Sequence, residues 1–308
     1  MRIVVAGGSG FLGRPLCDAL TRAGHEVIAL SRGAAPLAAG DAWSSGAGLR
    51  DAFWTATEDV SAWAPLVDGC DAVVNLAGES IASGRWTDAK KRRLESSRLE
   101  STRALGVAIQ QAASPPRVFL SASAIGYYGS RGDEPLTEAS PPGDDFLAKL
   151  CVSWEREARR ASGSRTRCVL LRTGIVLAPE GGALAPMLTQ FRMFAGGPVG
   201  SGRQFMSWIH RSDWIALAAW LLERRDDGPF NLTAPNPVTN MEFAKALGQV
   251  LSRPSVLPAP AFALRVLLGE MALALVIGGQ RVLPQRALDL GFRFRFDTLS
   301  LALADLLR

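Results

Sequence analysis

The sequence predicts an α/β protein, a doubly wound parallel sheet followed by a smaller, mainly helical C-terminal lobe. Three observations carry that expectation. An apolar run of strand length, Arg2-Ile3-Val4-Val5-Ala6, leads into Gly7-Gly8-Ser9-Gly10-Phe11-Leu12-Gly13 and then into a stretch with helical apolar spacing. Strand and helix patterns alternate through the first half, which calls for parallel pairing with right-handed crossovers. Beyond about residue 179 the rhythm changes: Pro, Gly and Trp become frequent and helices dominate.

The glycine-rich stretch is the organising element. Gly7 lets the chain turn sharply out of the strand, Gly10 lets backbone approach a phosphate, and Gly13 lets the helix pack closely. The helix N-terminus then offers unpaired N–H groups and partial positive charge to a pyrophosphate. Strand, loop and helix in this order, with a second strand at residues 25–30, read as a dinucleotide site of the Rossmann type.

The remaining elements follow in order. Residues 33–48, rich in Ala, Gly and Ser, read as a flexible loop, and a short third strand lies near Ala52-Phe53-Trp54. Residues 71–78 form a buried strand ending in a small-residue turn, so that Leu76, Ala77 and Gly78 line the cofactor trough. A long helix covers about residues 88–113, placing Arg98 beside that trough, and Pro115-Pro116 ends it. The strand from Arg117 delivers Ser121-Ala122-Ser123 at its C-terminal end, where ligands gather in such sheets. A helix at about 146–161 and a strand at 167–172 complete the first half.

The end of the second strand chooses between dinucleotides. An NAD site has Asp or Glu there for the ribose hydroxyls. This chain has Ser31 and Arg32, a hydroxyl and a guanidinium suited to a 2′-phosphate, and the expected cofactor is NADP. Arg14 adds positive charge nearby.

Composition sets limits on partners. The net charge of +5 is spread along the chain, and Lys90-Lys91-Arg92-Arg93 reads as a solvated helix face, so nucleic acid is not expected. Four scattered cysteines without metal or pairing spacing suit buried thiols in a reducing, cytoplasmic setting. Residues 261–279 are apolar but interrupted by Arg265 and Glu270, which argues against a membrane span and leaves a homodimer surface around 262–277. With only His25 and His210 in the chain, no metal centre is expected.

The glycine loop resembles the fingerprint of extended short-chain dehydrogenases/reductases. Further stretches narrow the resemblance: Asn75-Leu76-Ala77-Gly78-Glu79, Arg85-Trp86-Thr87, Ser123-Ala124-Ile125-Gly126-Tyr127-Tyr128-Gly129, Arg172-Thr173-Gly174-Ile175-Val176-Leu177, residues 200–210, and Gly279-Gln280-Arg281-Val282-Leu283-Pro284. Together they resemble the atypical epimerase family proteins of that superfamily, the 39U type, over essentially the whole chain. The resemblance implies NADP binding by residues 1–178, to which the C-terminal half can return a strand. It implies a substrate lobe at 179–308, with a family-specific segment from about residue 250. It also places Val176 backbone beside the nicotinamide. Some members of the group carry a cell-division-inhibitor label.

The superfamily works through Ser plus Tyr-x-x-x-Lys, in which Tyr moves the proton and Lys lowers its pKa. This chain has two tyrosines, and neither is followed by Lys at the required spacing. Anchoring the helix on Glu155 puts Leu147 in the Tyr slot and Cys151 in the Lys slot; anchoring it on Lys149 puts Asp145 in the Tyr slot. The remaining candidates are Ser123 to polarise a substrate oxygen, and Tyr127, Tyr128 or His210 to supply the proton. Arg203 and Gln204, in a Gly-rich loop, are placed to hold a polar or anionic substrate such as a nucleotide sugar or another carbonyl compound. The first reading is therefore an NADP-dependent, epimerase-like oxidoreductase with a non-standard acid/base. The rival reading is a non-enzymatic NADP(H)-binding redox sensor or regulator.

Overall fold

The computed structural model describes residues 1–32, 48–57, 59–162 and 164–307. The expected loop at 33–48 falls, but for its last residue, outside the described residues.

Seven strands form the main sheet: β1 (Arg2–Ala6), β2 (Glu26–Ser31), β3 (Gly48–Phe53), β4 (Ala72–Asn75), β5 (Val118–Ala124), β6 (Arg167–Thr173) and β7 (Gly228–Leu232). Their order is β7-β6-β5-β4-β1-β2-β3, and every pair is parallel. The order reverses between β1 and β4, which opens a crevice at the C-terminal ends of those two strands, Ala6 and Asn75. β7 comes from beyond residue 178, so both halves of the chain build the sheet.

The β1 sequence shows why the sheet is covered on both sides. Ile3 and Val5 enter one apolar cluster, and Val4 and Ala6 enter another. Alternate side chains point to opposite faces, so a continuous apolar run needs a layer above and below. One layer is α1 (Gly13–Arg22) through Leu16, Cys17 and Leu20, joined later in the chain by Trp214, Leu217 and Leu221. The other is α2 (Asp88–Gln111), through Leu105, Ala108 and Ile109, beside α3 (Phe146–Ser162), through Ala158 and Ala161.

Two strands differ from expectation. β3 starts at Gly48 and not near Ala52, because its pairing with β2 runs from Glu26–Gly48 to Ser31–Phe53. β5 continues through Ala124, since its register with β6 extends to Ser123–Arg172 and Ala124–Thr173. Ser123 is therefore a strand residue.

The second lobe has its own core. Leu184, Leu188 and Phe191 of α4 (Leu184–Arg192) meet Trp208, Phe243, Leu247 and the C-terminal helix residues Ala302 and Leu303. The helix after the small strand Trp208–His210 is α5 (Arg211–Glu223), which carries Trp214, Leu217 and Leu221 back to the main sheet. α6 (Asn240–Leu251) starts with a reciprocal cap: the Thr239 hydroxyl accepts from Glu242 N–H, and the Glu242 carboxylate accepts from Thr239 N–H.

The α2–α3 contact depends on one missing side chain. A Cβ built on Gly106 would stand 2.5 Å from Ala161 Cβ and 2.8 Å from its Cα. Gly106→Ala should therefore force the helices apart and cost roughly 1–3 kcal/mol, read as a lower urea midpoint at unchanged slope.

Candidate functional site

The glycine loop divides its residues between packing and exposure. Gly7 has φ +79°, and a Cβ there would lie 2.8 Å from the Leu76 carbonyl carbon. A Cβ on Gly13 would lie 2.0 Å from Gly7 O, so the start of α1 rests on the loop's own backbone. These positions lock the loop onto the end of β4, where Leu76 N–H donates to Ala6 O at 2.9 Å. Ser9, Gly10 and Phe11 form the exposed crest. A Cβ on Gly10 would meet only Gly7 O, at 3.2 Å, so this backbone is open to a ligand. α1 begins at Leu12 and Gly13 with no side-chain cap and no acidic residue in its first turn. An uncapped helix start behind open glycine backbone is an anion cradle.

The opposite wall is the chain after β4. Asn75 Oδ1 accepts Ala77 N–H at 3.1 Å, and its amide donates to Thr102 Oγ1 at 2.9 Å, shaping the turn from below. Arg98 lies under this wall. Its guanidinium donates to the carbonyls of Glu79 (3.0 Å) and Leu94 (2.9 Å), and a Cβ on Gly78 would touch its Cγ at 3.3 Å. Burial lowers the Arg98 pKa from its ordinary value. Arg98 thus supports the trough through its backbone.

At the C-terminal end of β2, Ser31 closes the strand and Arg32 follows it, exposed. Arg14 is turned instead toward Asp51 of β3, at 3.2 Å. Phe11 is held by the second lobe: Cβ atoms on Gly181 or Gly182 would stand 2.8 and 3.2 Å from its ring. Arg211 lies 5.8 Å from the ring centroid and pairs with Glu180. Val176 is buried in the short strand Ile175–Ala178, beside Ile209.

The relay candidates are placed differently from expectation. Ser123 is buried, and its hydroxyl donates to Glu155 Oε1 at 2.8 Å. Arg172 grips the same carboxylate with two bonds, Nε to Oε1 at 2.7 Å and Nη2 to Oε2 at 2.9 Å. Its third nitrogen donates to Tyr128 Oη at 3.0 Å. Tyr128 is fully buried and donates to Asn231 Oδ1 at 2.6 Å. Asn231 N–H and Arg286 N–H donate to the two oxygens of buried Glu138, at 3.0 and 3.3 Å. These bonds close a polar network across β5, β6, β7 and α3. Burial disfavours charge on Arg172, but the bonds from Glu155 outweigh it and hold its pKa above the ordinary value. Burial pushes the Tyr128 phenol up to about 12. The structure thus encloses the Tyr128 phenol between Arg172 and Asn231, away from the open crevice position expected of a proton donor.

His210 is corrected too. It sits in the cap position of α5, where Nδ1 accepts Ser212 N–H at 3.0 Å. This bond puts the proton of the neutral ring on Nε2, 3.4 Å from Asp305, and the ring stacks on Phe296 at 3.9 Å. Burial lowers its pKa. The structure does not bring His210 to Ser123 or to either tyrosine. Tyr127 is half-buried, with the Arg172 guanidinium 3.5 Å from its ring centroid. In the relay slots, Leu147 packs on Gly126, where an added Cβ would stand 3.2 Å from Leu147 Cβ. Cys151 is buried, its thiol pushed up to about 12 by desolvation. Gln204 is committed to the carbonyls of Val199 and Val276, both at 3.1 Å, whereas Arg203 is exposed.

Two groups escaped the sequence reading. Lys90 leaves the solvated cluster and buries its ammonium against Glu79 (2.6 Å) and Ser83 (2.7 Å), and that bond holds the Glu79 carboxyl below its ordinary range. The Glu155–Arg172 pair had one visible signal, an arginine inside the otherwise apolar run Cys168–Arg172.

Residues 3–233 match the model of the NAD dependent epimerase/dehydratase family, and residues 259–306 match a domain of unknown function, DUF1731. The chain belongs to that epimerase family. An epimerase family protein SDR39U1 homolog of Arabidopsis thaliana, described as chloroplastic, is 42% identical over 98% of this chain and 86% of its own length. The Bacillus subtilis epimerase family protein YfhF is 38% identical over 100% of this chain and 98% of its own. The crystal structure of the human SDR39U1 protein, solved with NADPH, superposes with a TM-score of 0.89 at 36% identity, covering 99% of both chains. A Bacillus cereus UDP-glucuronic acid 4-epimerase, at 18% identity and a TM-score of 0.75, shares the fold. Among the described residues of this epimerase-family chain, no helix is long and apolar enough to cross a membrane.

Two measurements test the buried network. Arg172→Met leaves the buried Glu155 carboxylate with only the half-exposed Arg159 guanidinium, 3.6 Å away, as a cationic partner, and should cost about 3 kcal/mol in urea unfolding. The folded-state pKa of Tyr128 lies above the ordinary 10, so the neutral phenol contributes stability below pH 10 that is lost as pH rises toward about 12. Phenolate absorbance should show a phase near pH 12 that disappears in Tyr128→Phe.

Proposed function

We propose that this chain is an NADP(H)-binding protein whose working element is the bound dinucleotide, without the Ser–Tyr–Lys proton relay of its superfamily. Ser9 to Gly13 and the start of α1 hold the pyrophosphate, Leu76 to Gly78 line the trough, and Arg32 meets the 2′-phosphate. NADPH, when bound, supplies a hydride at C4 of the nicotinamide. The human relative solved with NADPH supports the choice of cofactor. One observation carries the rest: no lysine follows either tyrosine at the relay spacing, and the Ser123 hydroxyl is donated to Glu155 in a closed buried network. On this reading the protein reports or transmits NADP(H) occupancy, and Ser123 is a positioning residue of the core.

A second reading has one observation in its favour. Tyr127 is half-buried, and the Arg172 guanidinium over its ring holds it in place. On that reading the protein is an oxidoreductase for a carbonyl compound, with Tyr127 as its proton donor.

Fluorescence titration should give tighter binding of NADPH than of NADH, and Arg32→Ala should weaken NADPH by about tenfold with NADH unchanged. Equal affinity for the two dinucleotides overturns the 2′-phosphate assignment. Against a panel of carbonyl compounds and nucleotide sugars the first reading expects no NADPH oxidation. Turnover that Tyr127→Phe abolishes, at unchanged NADPH affinity, establishes the second.

A further inference from the structure

The helix α7 (Ala261–Leu268) is apolar at every position but Arg265, yet none of its residues is buried. Helices of that kind are ordinarily enclosed. Ala261, Leu264 and Leu268 face inward and are half-covered, and Leu268 joins Trp86 and Met271 in a small apolar cluster. The outward face leaves Phe262 72%, Val266 74% and Leu267 67% exposed.

Neighbouring chain extends this face. Leu257 N–H donates to Gly196 O, Ala259 N–H to Pro198 O, and Gly200 N–H to Ala259 O, so residues 196–200 lie alongside residues 257–259. The adjoining end of α4 exposes Met193 and Phe194, and Arg253 covers the Phe194 ring at 4.5 Å. The charges here have one sign. Residues 190–203 and 249–269 contain Arg192, Arg203, Arg253 and Arg265 and neither Asp nor Glu. Glu270, the next acidic residue, is paired with Lys91.

We propose that this face docks on an anionic phospholipid surface, with Phe262, Val266 and Leu267 entering the headgroup boundary and the arginines meeting lipid phosphates. An exposed apolar ridge bordered by arginines is the arrangement that such surfaces bind. The same charges disfavour a second copy as the occupant, because a twofold contact would bring this all-cationic patch against itself. The sequence expectation of no membrane rested on Arg265 and Glu270, which interrupt any span across it. α7 spans about 12 Å, too short to cross a bilayer, but adsorption in its plane needs no crossing.

The test is co-sedimentation of the full chain with vesicles of phosphatidylcholine alone and of phosphatidylcholine with phosphatidylglycerol. Binding should require phosphatidylglycerol and fall as salt rises. Phe262→Glu with Val266→Glu should abolish it, and Arg265→Glu should weaken it about tenfold. NADPH affinity, unchanged in each variant, verifies the fold. Equal binding to both vesicle types, or retention by the double variant, overturns the proposal. So does the absence of vesicle binding in a chain that light scattering shows to be a dimer, with the double variant monomeric.

Discussion

The two bonds between Arg172 and Glu155 are the centre of a buried polar network that ties strands to a covering helix. They join β6, the neighbour of the edge strand β7, to α3. The carboxylate also fixes the Ser123 hydroxyl, and the guanidinium continues to Tyr128, hence to Asn231 at the edge strand. Both charges are almost wholly out of water, where either alone would be severely unfavourable. The network is acceptable because its members satisfy one another, and it therefore constrains all of them.

This constraint separates two ends of the crevice. At the β1 end, the crevice presents backbone: Gly7 and Gly13 lock the loop, Gly10 stays open, and α1 begins uncapped. At the β5 end, polar side chains are numerous but turned inward. Glu79 and Lys90 repeat the pattern at the wall, pairing with each other.

The sheet was legible because β1 and β4 are apolar at every position that two covering layers require, and because glycines punctuate the first turn. The place of Leu76, Ala77 and Gly78 just after β4 followed from the strand pattern. Less legible were boundaries set by pairing: Ser123 lies within β5 since β6 continues beside it to Thr173. The roles of polar residues were least legible. His210 looks like a proton carrier in sequence, but its Nδ1 is taken by Ser212 N–H, a bond that exists only because α5 starts there. Tyr128 looked equivalent to Tyr127, yet Asn231, 103 positions away, decides that one phenol is enclosed. Such assignments depend on contacts between distant segments, which no local pattern encodes.

The loss of the relay is also built into the surroundings. Cys151, in the Lys slot, is buried, and the charges acting on its thiol include the guanidiniums of Arg98 and Arg172 as well as the Glu155 carboxylate. A lysine there would place a third cation in an enclosed space whose carboxylate already accepts two bonds from Arg172 and one from Ser123. Leu147, in the Tyr slot, fills the space against Gly126 and joins the apolar cluster of Trp86, Leu94 and Met271. A phenol there would need a hydrogen-bond partner amid those side chains. Placing Tyr at 147 and Lys at 151 therefore requires rebuilding the network around Glu155 as well as exchanging two residues, so the buried pair that organises the fold also limits what α3 can carry at these positions.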